Sequence, residues 1–414
     1  MLALFGCAIT PTPSPPTETP AATVTPVPPT PALTPTPSFP PNLLRVWLPQ
    51  QFAPGDEAPG GPVLAEQIAA FEQAHPGLTV DVRIKETAGP AGLLPTLLAA
   101  HNVAPAALPN VIALNPDDLK AAAEAGLVIP LDGLLPPETL DDYYPFAQAM
   151  SQVNEDWMGL PFAADARVLA YNAQIYATPP LTWTEAITGP FILPGAEPWG
   201  LTLLNEYLAL GGSLTDPSDK LSLDAELLAE ALGFFQMAQD AGALPLSTLS
   251  YPDTAATWQV FRERRAALAV TSMRWYLAER DRASFAAVGL LPAKVGDSAT
   301  LAEGWSWAIV NVVPERAALA AELLAWLTAP QQLSEWTQAA QVLPPRASAL
   351  DGWTTEIVAS EADSVLTRAR LLPSPEVLNR VGPPLRQALD DVLNGRATPL
   401  AAANAAAQAV ASGR

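Results

Sequence analysis

From Leu43 onward the hydrophobic period of the chain switches repeatedly between about 2 and about 3.6 residues, and this limits the fold more than any other feature. Residues 43–48 form a short apolar run stopped by Pro49, which reads as a buried strand. Pro62 opens a helical pattern carrying Leu64, Ile68 and Phe71, since the N–H that proline lacks would be unpaired in a first turn anyway. His75-Pro76-Gly77 ends that helix, and Leu78, Val80, Val82 and Ile84 alternate as the next strand. Residues 93–100 read as helix, 111–114 as strand, and 117–124 as helix ended by Gly126. Strands alternating with helices predict an α/β protein with a parallel, doubly wound sheet, whose ligands sit at the carboxyl ends of the strands. Trp47 and Asn115 fall at such ends, where a packed aromatic and a turn-forming amide are the competing readings.

Further along, helical stripes dominate: 224–241 (Leu228, Leu232, Phe235), 315–328 (Leu323, Leu324, Leu327) and 383–393 (Leu385, Leu389, Val392). At 414 residues the chain exceeds what one core usually serves, so two lobes are expected. The net charge of −21 disfavours nucleic acid and anionic lipid as partners. His75 and His101 lie far apart without metal-ligand spacing, so neither a metal nor another cofactor is expected. The sole cysteine, Cys7, excludes an internal disulfide.

Leu4-Phe5-Gly6-Cys7-Ala8 resembles the lipobox of bacterial lipoproteins, whose cysteine becomes a lipid anchor; a stray cysteine in a tail is the alternative. The six residues before Cys7 are fewer than the roughly 7–15 apolar residues of an export signal, so translation is expected to start upstream. Residues 8–41 hold thirteen prolines, nine threonines and one charge, Glu18. Such a segment cannot bury apolar surface and should stay extended, reaching roughly 100 Å as polyproline II. A lipidated cysteine, a stiff stalk that is open to glycosylation and an acidic body form a coherent order.

Four segments then carry a family resemblance. Phe71-Glu72-Gln73-Ala74-His75-Pro76-Gly77 resembles the helix-to-strand opening of family-one extracellular solute-binding proteins. Gly126-Leu127-Val128-Ile129-Pro130-Leu131-Asp132 is similar to that family's turn after its third strand. Gly159-Leu160-Pro161, Asp165, Leu169 and Tyr171-Asn172 match its G-L-P-x-x-x-D-x-x-x-L-x-Y-N hinge signature, and Pro180 to Glu185 its helix entry. The ordered run covers about residues 43–410. It implies a two-lobe, type II periplasmic-binding-protein-like fold, each lobe a sheet flanked by helices, joined by a multi-segment hinge. The implied division is a truncated signal (1–7), the stalk (8–41), lobe 1 (42–164 plus 307–345) and lobe 2 (165–306 plus 346–414).

The resemblance also implies a monomer at the outer face of the membrane or in the periplasm. It would capture a sugar or related solute for ABC transporter permeases, by hinge closure. The implied ligand residues are Asp165 at the hinge, Trp275 in the second lobe, Trp305 and Trp307 at the second crossover, Arg346 at the third, and Trp47 and Asn115 at strand ends. For any one of these tryptophans core packing is the competing role, and for Arg346 capping a helix or bridging the lobes. Where the family often has Gly-Gly this chain has Glu303-Gly304, which leaves the ligand class open. Two other functions compete. A binding protein that feeds a sensor would share every one of these features. A hydrolase would need a nucleophile or metal motif, and neither G-x-S-x-G nor H-E-x-x-H occurs; a glycosidase carboxylate pair has no sequence signature to test.

Overall fold

A computed structural model of the chain describes residues 42–295, 298–311 and 314–413. Cys7 and the stalk lie outside the described residues. Among the described residues twelve strands form: β1 Leu43–Pro49, β2 Thr79–Lys85, β3 Val111–Leu114, β4 Val128–Ile129, β5 Gln152–Val153, β6 Asp156–Trp157, β7 Leu160–Asn172, β8 Phe191–Ile192, β9 Leu268–Ser272, β10 Ala286–Gly289, β11 Thr300–Val310 and β12 Ala369–Leu371. Ten of them make one sheet with the backbone order β2-β1-β3-β11-β7-β9-β8, while β4 and β12 join β11 and β10 joins β7. β5 and β6 pair separately as a hairpin.

The strands and helices expected between residues 43 and 126 are present. All four residues of β3 are buried, because helices cover both faces, whereas edge strand β2 keeps an exposed face. Thr182 accepts from the Glu185 N–H and Glu185 Oε2 from the Thr182 N–H, a capping box that starts the helix Trp183–Ala186.

Two expectations are corrected. The sheet is mixed and not uniformly parallel: β1 pairs β2 and β3 in parallel, but β7 and β11 run antiparallel to each other, and β11 is also antiparallel to β3 and β7 to β9. The helix expected over 383–393 begins at Pro375, capped by the Ser374 hydroxyl, and continues through Pro383 and Pro384. Its inner face of Leu378, Val381, Leu385, Leu389 and Val392 is wholly buried, and this packing carries the helix across residues that would otherwise break it.

At 13 residues, or roughly 43 Å, β7 is long enough to serve both halves of the sheet. Residues 160–166 pair with β11, and residues 167–171 pair with β9. β11 makes the matching transfer, pairing β12 at its start and β3 at its end. One core cluster gathers Phe52, Phe162 and Trp336 together with Phe261 and Phe285, so apolar packing is continuous across this transfer. A second cluster, with Tyr207, Phe234, Phe235 and Leu389, lies under the C-terminal helices. A third surrounds Leu93, Leu97 and Ile112. Among the described residues no helix is long and apolar enough to cross a membrane.

Candidate functional site

A cleft of about 290 Å³ opens where β7 and β11 change partners. Side chains two residues apart on a strand share a face, so Asp165 and Arg167 of β7 both meet the cleft. Glu303 of β11 is registered directly opposite Asp165 and faces the same way. β9 ends at Ser272, and the next helix, Met273–Glu279, starts at the strand's carboxyl end and delivers Arg274 and Trp275. Asp253 caps the helix Thr254–Arg262 by accepting from the Ala256 N–H at 2.8 Å and stands on the rim. The opposite wall is Trp199, from the turn before the helix Leu201–Ala209.

Each wall is fixed from behind. The Trp275 indole N–H donates to Thr254 Oγ1 at 3.3 Å, and the Arg274 guanidinium lies 5.1 Å from the Trp275 ring centre. The Trp199 indole donates to Asn379 Oδ1 at 3.0 Å. Trp199 also backs onto Gly382, where a Cβ would stand 2.5 Å from the Trp199 Cα, so only glycine fits.

The charges on the floor fall into two kinds. Arg167 forms a buried ion pair with Glu197, which also accepts from the Thr202 N–H at 3.1 Å. Arg167 Nη1 is nevertheless buried without a partner. Asp165 accepts the Arg274 backbone N–H at 3.0 Å. Burial pushes its carboxyl above the usual carboxylate range, against the pull of that bond. Glu303 is open to the cleft yet walled in by protein; this desolvation, and then the charge of Asp165, push its carboxyl up, against Arg167 and Arg274. Neither Asp165 nor Glu303 has an ion-pair partner among the described residues. No group of three His, Cys, Asp or Glu among the described residues could hold a metal ion.

Of the residues anticipated from sequence, Asp165 and Trp275 come together in this cleft. The others lie elsewhere. Trp47 sits within β1, two residues before its end, and is 3% exposed in the third core cluster, with Lys85 Nζ 4.7 Å from its ring centre. Asn115 is spent on capping: it accepts from the Asp118 N–H at 2.9 Å and donates to Asp118 Oδ2 at 3.0 Å. Trp307 is 3% exposed and stacked on Phe162 at 4.4 Å. Trp305 is half-buried, edge-on to Phe52 at 5.7 Å. Arg346 is held by Asp142 Oδ2 at 2.6 Å and the Thr328 carbonyl at 3.0 Å, as a bridge between segments. Sequence reasoning missed Arg167, Arg274 and Trp199 as cleft residues. Strand alternation from Asp165 points to Arg167, and adjacency to Trp275 points to Arg274. Trp199 has no local signal, because its place depends on a helix some 180 residues away in sequence.

The model of the family described as bacterial extracellular solute-binding protein matches residues 66–363. A maltotriose-binding protein of Pyrococcus abyssi is 29% identical over 123 residues, and the match spans 27% of this chain and 27% of that protein's length. Among solved structures, a cyclic alpha-maltosyl-1,6-maltose binding protein from Arthrobacter globiformis superposes with a TM-score of 0.73 at 18% identity, over 90% of this chain and 98% of its own. The sugar-binding protein MalE from the phytopathogen Xanthomonas citri gives 0.72 at 21% identity, over 90% and 97%. The fold is accordingly the two-lobed, type II periplasmic-binding-protein architecture, mixed α/β with helices flanking the strands.

Proposed function

The chain belongs to the bacterial extracellular solute-binding proteins, a family of binders and not of enzymes, and from that premise we propose that it captures a sugar in the cleft at the β7–β11 transfer. One observation carries the reading: two indoles, Trp199 and Trp275, and the charged groups of Asp165, Arg167, Arg274 and Glu303 converge on that single concavity. Indole faces cover the apolar C–H face of a sugar ring, while carboxylates accept from its hydroxyls and guanidinium groups donate to them. The unpartnered Arg167 Nη1 costs about 1–3 kcal/mol as a buried donor, and a ligand oxygen at the cleft floor would supply its missing acceptor. The cleft lies just below the roughly 300–1,000 Å³ usual for small-molecule sites, which suits a small solute more than a polymer.

In this reading residues 42–164 plus 307–345 form one lobe and residues 165–306 plus 346–414 the other. They close about β7, β11 and the Pro344-Pro345-Arg346 segment, and ligand stabilises the closed state by its higher affinity for it. ABC transporter permeases recognise closure, while lipidated Cys7 and the 8–41 stalk hold the body at the outer face of the membrane. The relatives named for maltose, maltotriose and a cyclic maltosyl-maltose support testing maltooligosaccharides first. Isothermal titration of the full chain with maltose, maltotriose and unrelated polar solutes tests it. A saccharide is expected to bind with Kd at or below the micromolar range; binding confined to a non-sugar overturns the reading.

A further inference from the structure

Asp165 and Glu303 stand directly opposite each other on neighbouring antiparallel strands, on the cleft side of both. Like charges in that relation repel, and an oppositely charged group placed between them would relieve the repulsion. The protein's own cations offset this only in part, since both carboxyls are still pushed up against their pull. Arg167, two residues from Asp165 on the same face, is committed to Glu197. Arg274 meets Asp165 through its backbone N–H, and its guanidinium lies over the Trp275 ring. Asp253 adds a third carboxylate at the rim, so once Arg167 is paired three carboxylates face one guanidinium. Trp199 and Trp275 supply electron-rich faces of the kind that attract cations.

We propose that the solute carries a protonated amine seated between Asp165 and Glu303, which makes it an amino sugar. This rests on the sugar reading above and narrows it. The upward push on both carboxyls fits a site whose charge is completed by the ligand. Facing carboxylates with no ion-pair partner among the described residues gain most from a cation and less from neutral hydroxyls.

The test is titration of the full chain, in buffers stepped from mildly acidic to neutral pH so that the amines stay protonated while the carboxyls ionise, with glucosamine dimers and trimers, their N-acetylated counterparts, maltose and maltotriose. The free-amine sugars are expected to bind at least about tenfold more tightly than their N-acetylated forms. In Glu303→Gln that preference should shrink below roughly threefold, with a melting temperature no lower than that of the parent because the repulsion is relieved. Neutral sugars binding as tightly as amines overturn the amine assignment and leave the sugar reading standing. If no saccharide of either kind binds, both fail. An amine preference that persists undiminished in both Glu303→Gln and Asp165→Asn overturns the placement between these two carboxylates.

Discussion

Two stretches of one cleft floor answer the same electrostatic problem in opposite ways. At Arg167 a buried charge meets a buried countercharge, Glu197, and the pair is almost wholly withdrawn from solvent. Two residues earlier on β7, Asp165 faces another carboxylate, and neither has an ion-pair partner among the described residues. A buried ion pair contributes little net stability but is costly to split, so the Arg167 end behaves as fixed framework. The Asp165–Glu303 end keeps a repulsion that, on the proposal above, an incoming cation relieves. Glu206 shows a third answer: sealed in the second core with the Trp183 indole N–H at 2.9 Å, it has no ion-pair partner among the described residues, and burial pushes its carboxyl up to about 8, so it stays protonated at neutral pH.

The contrast can be broken by experiment, beginning where the expected effect is largest. Glu197→Ala leaves Arg167 buried without a countercharge and should cost about 3–5 kcal/mol in chemical denaturation; a loss under ~1 kcal/mol would erase the distinction between the two ends. Glu206→Gln should remove a pH dependence. The folded pKa of Glu206 lies above its ordinary value of 4.5, so its contribution is full below that value and is lost as pH rises to about 8. Within that window stability should fall by roughly 1.4 kcal/mol per pH unit in the parent and not in the variant, as read by urea midpoints across the range.

Asp165→Ala and Trp275→Ala should each weaken solute binding at least about tenfold, near 1.4 kcal/mol, with folding retained. Unchanged affinity in both would move the site elsewhere. Asp253→Asn is the mildest change, since asparagine caps a helix as well as aspartate does. Melting should hold steady while affinity for a cationic solute drops about threefold, and equal affinity would remove the rim from the acidic field.

Much of this was legible in the sequence, for identifiable reasons. Leu64, Ile68 and Phe71 announce a helix, and Val80, Val82 and Ile84 a strand, because each segment follows a single period. The reversed direction of β7 and β11 was not legible, since strand direction depends on where the chain re-enters the sheet. Pro383-Pro384 reads as a helix start because proline belongs in a first turn; only the buried stripe from Leu378 to Val392 explains why the helix passes through it. In the site, Asp165 and Trp275 came from motif order. Trp47 and Trp307 show its limit, for nothing in an indole's sequence context separates one that packs a core from one that walls a cleft.

The Gly382–Trp199 contact carries a consequence for the far end of the chain. The helix bearing Gly382, Pro375–Leu393, packs on the helices Ala225–Asp240 and Pro399–Ser412. Through it the last helix buttresses a cleft wall that none of its own residues lines. On the proposed site, truncation before Pro399 would therefore loosen ligand capture from a distance, with the C-terminal helices serving the cleft wall as its abutment.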